Sequence, residues 1–207
     1  MSSAVGFDLD MTLIDSRPGI HAAYRALTER TGVPVDADLA VTRLGPPLRT
    51  ELAHWFPADQ VEEAVTTYRA LYVDYAITPT VPMKGAVEAL AAVRELGLRV
   101  VVVTSKLGRL AALHLDHLGL VADELAGDLF AEGKAAALTE HGVRWYVGDH
   151  VGDMVAARTA GVPGIGVATG PCTPDELRGA GAAYVLGDLT GLPPLLRRIA
   201  VGSGPTA

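Results

Sequence analysis

The chain contains little that would stabilise it outside a reducing compartment or attract it to a polyanion. It has one cysteine, Cys172, among 207 residues, which excludes an intramolecular disulfide. Its 17 Lys and Arg residues against 24 Asp and Glu residues give a formal net charge of -7, and a surface of that sign repels nucleic-acid phosphates. No apolar stretch is long enough to span a bilayer, and the start, MSSAVGFDLD, lacks the basic segment of a signal peptide. We therefore expect a cytoplasmic protein with no nucleic-acid or membrane partner.

Short apolar runs, rich in Val or aromatic residues and bounded by Gly, Asp or Pro, recur along the chain. They lie at 4–7, 99–104, 144–148, 164–168 and 182–186, with a weaker one at 123–126. Such runs are typical of buried parallel strands. Patterns with helical spacing separate them, and a Gly often follows the last periodic residue, as at helix ends. The alternation predicts an α/β fold with a doubly wound, Rossmann-like parallel sheet.

One long segment, from about residue 17 to residue 80, breaks this alternation. It contains no strand pattern but three helical ones, which begin at PGIHAAY, PPLRTEL and ADQVEEA. We therefore expect a small all-helical domain inserted after the first strand and placed over the strand ends. The predicted division is a core of residues 1–16 and 81–200, a helical domain of residues 17–80, and a disordered tail of residues 201–207.

Two pairs of acidic residues follow predicted strands. Asp8 and Asp10 flank Leu9 and point to the same side of an extended chain. Asp149 directly follows another strand, and Asp153 comes four residues later, so a helix beginning between them directs both carboxylates to the same strand ends. Each pair alone also fits an ordinary acidic turn or helix start. Together they indicate a cation site, and Mg²⁺ prefers such oxygen ligands.

A hydroxyl and an amine complete the set of candidates. Thr104 ends the Val-rich strand, where its hydroxyl and the free backbone N–H groups could hold a phosphoryl oxygen. Lys134 lies at a predicted helix start, where the helix dipole disfavours a cation. Such a local conflict is expected at functional sites, although capping threonines and solvated lysines are common.

In order along the chain, DxDxT, a Thr after a hydrophobic strand, a Lys and GDxxxD resemble the motifs of the haloacid-dehalogenase-like (HAD) phosphatases. The similarity is greatest to the phosphoglycolate-phosphatase-like branch, which has a helical C1-type cap, and it extends from Val5 to about Leu196. This resemblance implies a Mg²⁺-dependent hydrolase that cleaves a small phosphorylated metabolite. It also implies that the all-helical segment is the cap.

The resemblance assigns a role to each motif residue. Asp8 would be the nucleophile that becomes phosphorylated, and Asp10 the general acid and then base. Thr104 would bind the transferring phosphoryl group, and Lys134 would neutralise developing charge and orient Asp8. Mg²⁺ would be held by four residues, one of them through its backbone carbonyl: Asp8, Asp10, Asp149 and Asp153.

The chain departs from the family pattern at several positions. Met11 stands where the family commonly has Gly, so the turn after Asp10 must form without the freedom of glycine. Ser105 replaces the usual Asn, and Lys134 is followed by Ala rather than Pro. Lys106 is therefore a second candidate for the lysine role.

The substrate is not specified by these motifs. Arg43 and Arg49 flank LGPPL in the helical segment, where a guanidinium could reach a carboxylate or a second phosphate. With Thr104 and Ser105 they are the predicted substrate contacts. The partner is expected to be the small metabolite alone, bound by a monomer or homodimer.

Three other functions predict different features. A sugar-phosphate mutase of this superfamily places a His near position 20, but the chain has His21, about 100° further round the helix. A non-catalytic phospho-ligand-binding protein predicts the loss of Asp8 or Asp10, and both are present. A receiver-like signalling domain predicts its phosphorylated Asp after the third strand, with no helical insertion.

Overall fold

The computed structural model describes residues 3–130 and 132–201. The predicted disordered tail lies outside these residues, except for Val201, which ends the last helix. The strands are β1 (Ala4–Phe7), β2 (Ile14–Asp15), β3 (Val81–Pro82), β4 (Arg99–Val103), β5 (Glu124–Ala126), β6 (Val143–Gly148), β7 (Gly164–Val167) and β8 (Ala182–Leu186). Six of them form one sheet in the order β5-β4-β1-β6-β7-β8, and every pairing in it is parallel. The predicted fold class is confirmed.

Helices connect and cover the strands. They are α1 (Arg17–Thr31), α2 (Ala37–Ala40), α3 (Leu48–Leu52), α4 (Val61–Tyr75), α5 (Ala86–Glu95), α6 (Gly108–Leu118), α7 (Glu132–Glu140), α8 (Val151–Thr159), α9 (Pro174–Gly179) and α10 (Leu192–Val201), with short 3-10 helices at Val41–Arg43 and Leu189–Gly191. The longest helix of the described chain has 15 residues, and none there is long and apolar enough to cross a membrane.

The strands of the sheet are apolar because both faces are covered. Val100 and Val102 of β4 pack with α5 on one face, while Val101 and Val103 pack on the other, as the period of two requires. The order of strands places β1 in the middle, with β4 on one side and β6 on the other. The chain leaves β1 at the switch point of the sheet, where α/β folds bind ligands.

Residues 17–80, here called the helical insertion, contain four α-helices and no strand, and all of them are described. The insertion has its own apolar core between α1 and α4, with the rings of Tyr24 and Tyr68 4.7 Å apart. Leu110 of α6 belongs to this core, so the insertion packs against the sheet layer. The short helix α2 was not predicted; the carboxylate of Asp36 accepts the N–H of Leu39 and caps it.

The insertion joins the sheet layer through a narrow neck. The chain leaves through β2 and returns through β3, and these two strands pair antiparallel. Asp15 of β2 accepts hydrogen bonds from Arg17 Nε and Nη2 at 2.9 and 2.7 Å. Two-residue strands containing Pro82 have too little pattern to be predicted from sequence.

Candidate active site

The loop after β1 brings the first acidic pair to the edge of the sheet. β1 is buried, and Asp8 behind it is 7% exposed. The chain then turns tightly, with the Met11 N–H donating to the Ile14 carbonyl at 2.8 Å. Met11 has a φ of 61°, in the left-handed region that glycine adopts most easily. The turn that the resemblance associates with Gly is therefore made with a non-glycine residue, whose side chain is buried.

Three carboxylates converge at this edge. Asp8 follows β1, Asp149 follows β6, and Asp153 lies in the first turn of α8. One oxygen from each lies within 4.8 Å of the others, and all three side chains are buried. Asp149 accepts a hydrogen bond from Thr12 Oγ1 at 3.0 Å. The structure thus joins residues about 140 positions apart into one acidic cluster.

Lys134 lies among these carboxylates. Its Nζ is 2.7 Å from Asp8 Oδ1 and 2.7 Å from Asp153 Oδ1, and the lysine is 6% exposed. It comes from the first turn of α7, as the sequence predicted. Lys106, the second candidate for this position, does not contact Asp8; its Nζ lies 3.1 Å from Asp10 Oδ1.

Asp153 caps a helix, as an ordinary acidic residue at a helix start does, and it also contacts Lys134. Its Oδ2 accepts the His150 backbone N–H at 3.2 Å, which caps α8. Its Oδ1 accepts from Lys134 and from the Tyr146 hydroxyl at 3.3 Å. Held by these three donors, this carboxylate has little freedom to rotate.

Asp10 lies outside the acidic cluster and has its own donors. Its Oδ1 accepts from Ser16 Oγ at 2.5 Å and faces Lys106. Lys106 Nζ also donates to the Tyr72 hydroxyl at 2.8 Å, and that hydroxyl lies 2.9 Å from Nε2 of His114. The sequence did not predict this series of hydrogen bonds, because Tyr72 lies on α4 of the helical insertion and no motif marks it.

Comparison with known proteins identifies the family. The sequence profile for haloacid dehalogenase-like hydrolases matches residues 5–158. A phosphoglycolate phosphatase of Neisseria gonorrhoeae is 32% identical over 190 residues, which cover 81% of this chain and 80% of that protein. The chain belongs to the haloacid dehalogenase-like hydrolases.

A solved structure supports the assignment, and a curated relative of a different activity matches part of the chain. A solved haloacid dehalogenase-like hydrolase from Streptococcus pneumoniae superposes with a TM-score of 0.81 at 26% identity, over 98% of this chain and 99% of that one. The tyrosine-protein kinase PtkA of Mycobacterium tuberculosis is 36% identical over 115 residues, which are 55% of this chain. The chain spans only 40% of that kinase's length. The predicted membership of the phosphoglycolate-phosphatase-like branch is confirmed.

Burial and mutual repulsion shift the pKa values of the acidic cluster. Burial, opposed by Lys134 and reinforced by Asp153 and Asp10, raises the pKa of Asp8 to about 7. Burial, Asp8 and Asp153 likewise raise the pKa of Asp149 well above its usual value. Burial alone would lower the pKa of Lys134, but Asp153 and Asp8 hold it well above normal. The lysine is therefore charged, and the carboxylates gain from a cation between them.

The predicted phosphoryl-binding residues lie at the end of β4. Thr104 is buried, and its Oγ1 accepts the Lys106 backbone N–H at 3.2 Å, so it also shapes the turn. Ser105 lines the cavity above the carboxylates, with its Oγ 3.5 Å from the Gly45 carbonyl of the helical insertion. The role of Thr104 and Ser105 in substrate binding stays a prediction.

A cavity of about 260 Å³ lies between the acidic cluster and the helical insertion. The side of it formed by α1, α4 and the loop around Gly45 is here called the helical wall. Arg43 and Arg49 belong to it, as predicted, yet each faces a carboxylate of the insertion, Glu51 and Glu62 respectively. The Arg43 Nε is buried without a hydrogen-bond partner in the described part of the chain.

Two residues near the acidic cluster, Gly170 and Thr169, were also not predicted from the sequence. A Cβ on Gly170 would lie 1.7 Å from Asp149 Oδ2, so this glycine lets the loop after β7 approach the carboxylate. Thr169 Oγ1 donates to the Met11 carbonyl at 2.6 Å and holds the turn of the first motif. Only the sequence TGP hinted at a turn there, and nothing in it pointed to the site.

Proposed function

We propose that this hydrolase is a Mg²⁺-dependent phosphatase that cleaves a small phosphomonoester through a phosphoaspartyl intermediate on Asp8. The observation that supports it most is the triad of buried carboxylates, with Lys134 Nζ 2.7 Å from Asp8 Oδ1. Buried carboxylates of this number are stable only with compensating cations. A nucleophile, a cation and a metal-binding set at the switch point of the sheet are the components that phosphoryl transfer requires.

The donor set fits Mg²⁺. The ion binds carboxylate oxygens at about 2.1 Å in octahedral geometry, and the oxygens of Asp8, Asp149 and Asp153 lie within 4.8 Å of one another. Burial and the neighbouring carboxylates raise the pKa values of Asp8 and Asp149, so a bound cation would stabilise their charged forms. When bound, Mg²⁺ would neutralise these carboxylates and attract the phosphoryl oxygens. Asp10 would contribute its backbone carbonyl, as the resemblance implies.

In the first half-reaction, a carboxylate oxygen of Asp8 attacks phosphorus as the bond from phosphorus to the leaving oxygen breaks. Asp10 donates its proton to that leaving oxygen, and the free alcohol departs. Asp10 Oδ1 is occupied by Ser16 and Lys106, which leaves Oδ2 as the oxygen that carries the proton. Lys134 stabilises the charge that develops on the phosphoryl group.

In the second half-reaction, a water molecule attacks phosphorus and gives a proton to Asp10. The bond from phosphorus to Asp8 breaks, inorganic phosphate leaves, and both carboxyl groups return to their starting states. Lys106 acts here as a positioning residue. It holds Asp10 from the sheet layer while it is itself held by Tyr72 of the helical insertion.

The helical insertion serves as the cap in this proposal, with hinges near residues 16–19 and 80–85. The antiparallel pair of β2 and β3 lies at these crossings, so both segments bend at one neck. Closure excludes water from the phosphoaspartate and places Tyr72 against Lys106. A cytoplasmic location and a monomeric or homodimeric state stay predictions from the sequence.

The alternative functions receive less support. The mutase interpretation needs a histidine of the first cap helix in the cavity, but His21 does not line it and its Nε2 lies 3.2 Å from Asp38. A receiver-like protein would not carry four helices directly after its first strand. A binding protein without catalysis does not require Lys134 between the proposed nucleophile and Asp153.

The test is hydrolysis of p-nitrophenyl phosphate with Mg²⁺, with EDTA, and by Asp8→Asn. We expect turnover that needs the metal and vanishes in the variant, together with an acid-stable phosphoprotein in wild type. Thermal unfolding with and without Mg²⁺ shows that both proteins are folded and bind metal. Turnover by folded, metal-loaded wild type that does not exceed that of Asp8→Asn would contradict the proposal.

A further inference from the structure

Each arginine of the helical wall has a carboxylate within 4.0 Å. The pairs are Arg43 with Glu51, Arg49 with Glu62, and Arg69 with Asp128, and all three arginines line the cavity. The remaining two basic side chains with a fixed charge in the cavity, Lys106 and Lys134, belong to the sheet layer and contact catalytic carboxylates. Among the described residues that line the cavity, every lysine and arginine therefore already faces a carboxylate, which weakens its attraction for a second anionic group of a substrate.

The pair of Arg43 and Glu51 is fixed in place. Arg43 Nη2 lies 2.5 Å from Glu51 Oε1, and the same oxygen accepts the Trp55 Nε1–H at 2.9 Å. The Arg43 guanidinium also stacks over the Trp55 ring at 5.6 Å, and Glu51 is buried. With its charge matched, Arg43 offers a hydrogen bond from Nε rather than a net positive charge.

The pair of Arg49 and Glu62 differs from it. Their side chains are 63% and 61% exposed, so solvent screens both charges and the pair contributes little. Arg69 Nη2 and Asp128 Oδ1 lie 3.9 Å apart across the mouth of the cavity. These outer pairs keep the rim neutral without closing it.

The rest of the helical wall is apolar, with neutral hydroxyls. Ile20 and Val65 present aliphatic surface, Leu110 of α6 adjoins them, and the rings of Tyr24 and Tyr68 stack beside them. Neither tyrosine hydroxyl makes a hydrogen bond to a described residue, and burial raises the pKa of both phenols, so both stay protonated. They are uncharged donors that face the cavity.

We propose that the substrate is the phosphomonoester of an uncharged alcohol with an apolar face, not one that carries a carboxylate or a second phosphate. This inference rests on the proposed phosphatase function and narrows its substrate class. A second anion would be desolvated beside paired arginines and an acidic cluster, where each described cation of the lining already faces a carboxylate. An uncharged alcohol packs on the aliphatic side chains and accepts hydrogen bonds from the tyrosines.

Two pairs of small substrates that differ mainly in charge test the proposal. Phosphoglycolate is compared with its neutral amide, carbamoylmethyl phosphate, and 3-phosphoglycerate with glycerol 3-phosphate. We expect kcat/KM to be about tenfold higher for the neutral member of each pair, and higher again for 2-phenylethyl phosphate. A ratio below about threefold, or one that favours the carboxylate, overturns the proposal.

A gain of function gives a sharper result. Glu51→Gln keeps an oxygen for Arg43 and Trp55 but removes the negative charge, so Arg43 becomes an unmatched cation. We expect the neutral-to-charged ratio to fall at least threefold, through faster cleavage of phosphoglycolate. Glu63→Gln, an exposed carboxylate on the same insertion that does not line the cavity, is the matched control and should leave the ratio unchanged.

The failure of this inference is distinguishable from failure of the proposed function. If p-nitrophenyl phosphate is hydrolysed with Mg²⁺ and not by Asp8→Asn, the phosphatase function stands whichever substrate class is preferred. An unchanged ratio in folded Glu51→Gln, judged by thermal unfolding, contradicts the role of the charge-paired helical wall in selecting substrates. Loss of all phosphatase activity in wild type contradicts the proposed function itself.

Discussion

The two sides of the cavity handle charge differently. On the sheet side, Asp8, Asp149 and Asp153 converge, Lys134 is the one described lysine or arginine that pairs with them, through Asp8 and Asp153, and burial raises the pKa of Asp8 to about 7. On the helical wall, each arginine faces one carboxylate. Charge is left unmatched where a metal ion and a phosphoryl group are expected to bind, and it is matched where the rest of the substrate would lie.

This difference follows from how the two sides are built. The residues of the acidic cluster lie far apart in sequence and meet because parallel strands end at one edge. The backbone fixes their approach, so repulsion between them is retained. The helical wall forms within one short insertion, where Arg43 and Glu51 are eight residues apart and can pair as the helices pack. We interpret the first arrangement as catalytic and the second as selective.

Removing the cation of the sheet side should have the largest effect. We expect Lys134→Ala to lower kcat by about 10²–10³, because developing charge and Asp8 both lose their contact with the ammonium group. The variant should also gain more thermal stability from Mg²⁺ than wild type does, since its buried carboxylates are less compensated. Lys84→Ala, which removes an exposed lysine paired with Asp188, is the control. A kcat within threefold of wild type would show that Lys134 only stabilises the fold.

Breaking the link between the two sides should have the next largest effect. Tyr72→Phe keeps the buried ring but removes the hydroxyl that holds Lys106, and we expect kcat for an alkyl phosphate to fall about tenfold. Lys106→Met should lower it further. Hydrolysis of p-nitrophenyl phosphate, whose leaving group needs little protonation, should fall less.

The leaving-group comparison separates positioning of Asp10 from structural damage. Loss of packing alone would slow both substrates equally, and that outcome would refute the role of Lys106. Tyr75→Phe, an exposed tyrosine at the end of the same helix, is the matched control. Its rates should match wild type for both substrates.

The contrast also explains what could be predicted from the sequence. The Val-rich strands and the strand-free insertion could be predicted because burial on both faces of a sheet leaves continuous apolar runs. The carboxylates could be predicted because each follows a strand or begins a helix, and the structure brings Asp8, Asp149 and Asp153 together. The hydrogen bonds of Tyr72 could not be predicted, because they depend on how the insertion packs against α6. The pairing of Arg43 was missed for the same reason, because only the packed helices bring Glu51 to it.

A mutation beside Asp149 tests whether the sheet side holds the metal. A methyl group at Gly170 would lie 1.7 Å from Asp149 Oδ2, so Gly170→Ala should displace that oxygen and weaken Mg²⁺ binding about tenfold. Gly179→Ala is the control, because a methyl group there meets no atom within 4 Å. Calorimetric titration with Mg²⁺ measures both. Equal dissociation constants for the two variants would argue that Asp149 is not a ligand.

The smallest expected effect concerns His114, which lies where the helical insertion meets the sheet layer. It is fully buried, and burial, followed by Lys106, lowers its pKa to about 4. The Tyr72 hydroxyl accepts from Lys106 and so donates to Nε2, which requires neutral imidazole. Because the pKa of His114 is lowered in the folded state, the folded state binds fewer protons than the unfolded state. Stability is therefore unaffected above about pH 6.5 and is lost as the pH falls from there towards 4.

Replacing this histidine isolates its contribution. His114→Gln keeps an acceptor for Tyr72 but does not titrate, so its melting temperature should fall by a few °C less than that of wild type between pH 7.5 and pH 5. Asp8 and Asp149, whose raised pKa values act in the opposite direction, are common to both proteins and cancel in the difference. Asp10 and His117, which also act on His114, are unchanged as well. Parallel melting curves over this range would mean that His114 is protonated without loss of stability, and the link from α6 to Tyr72 would then not depend on neutral imidazole.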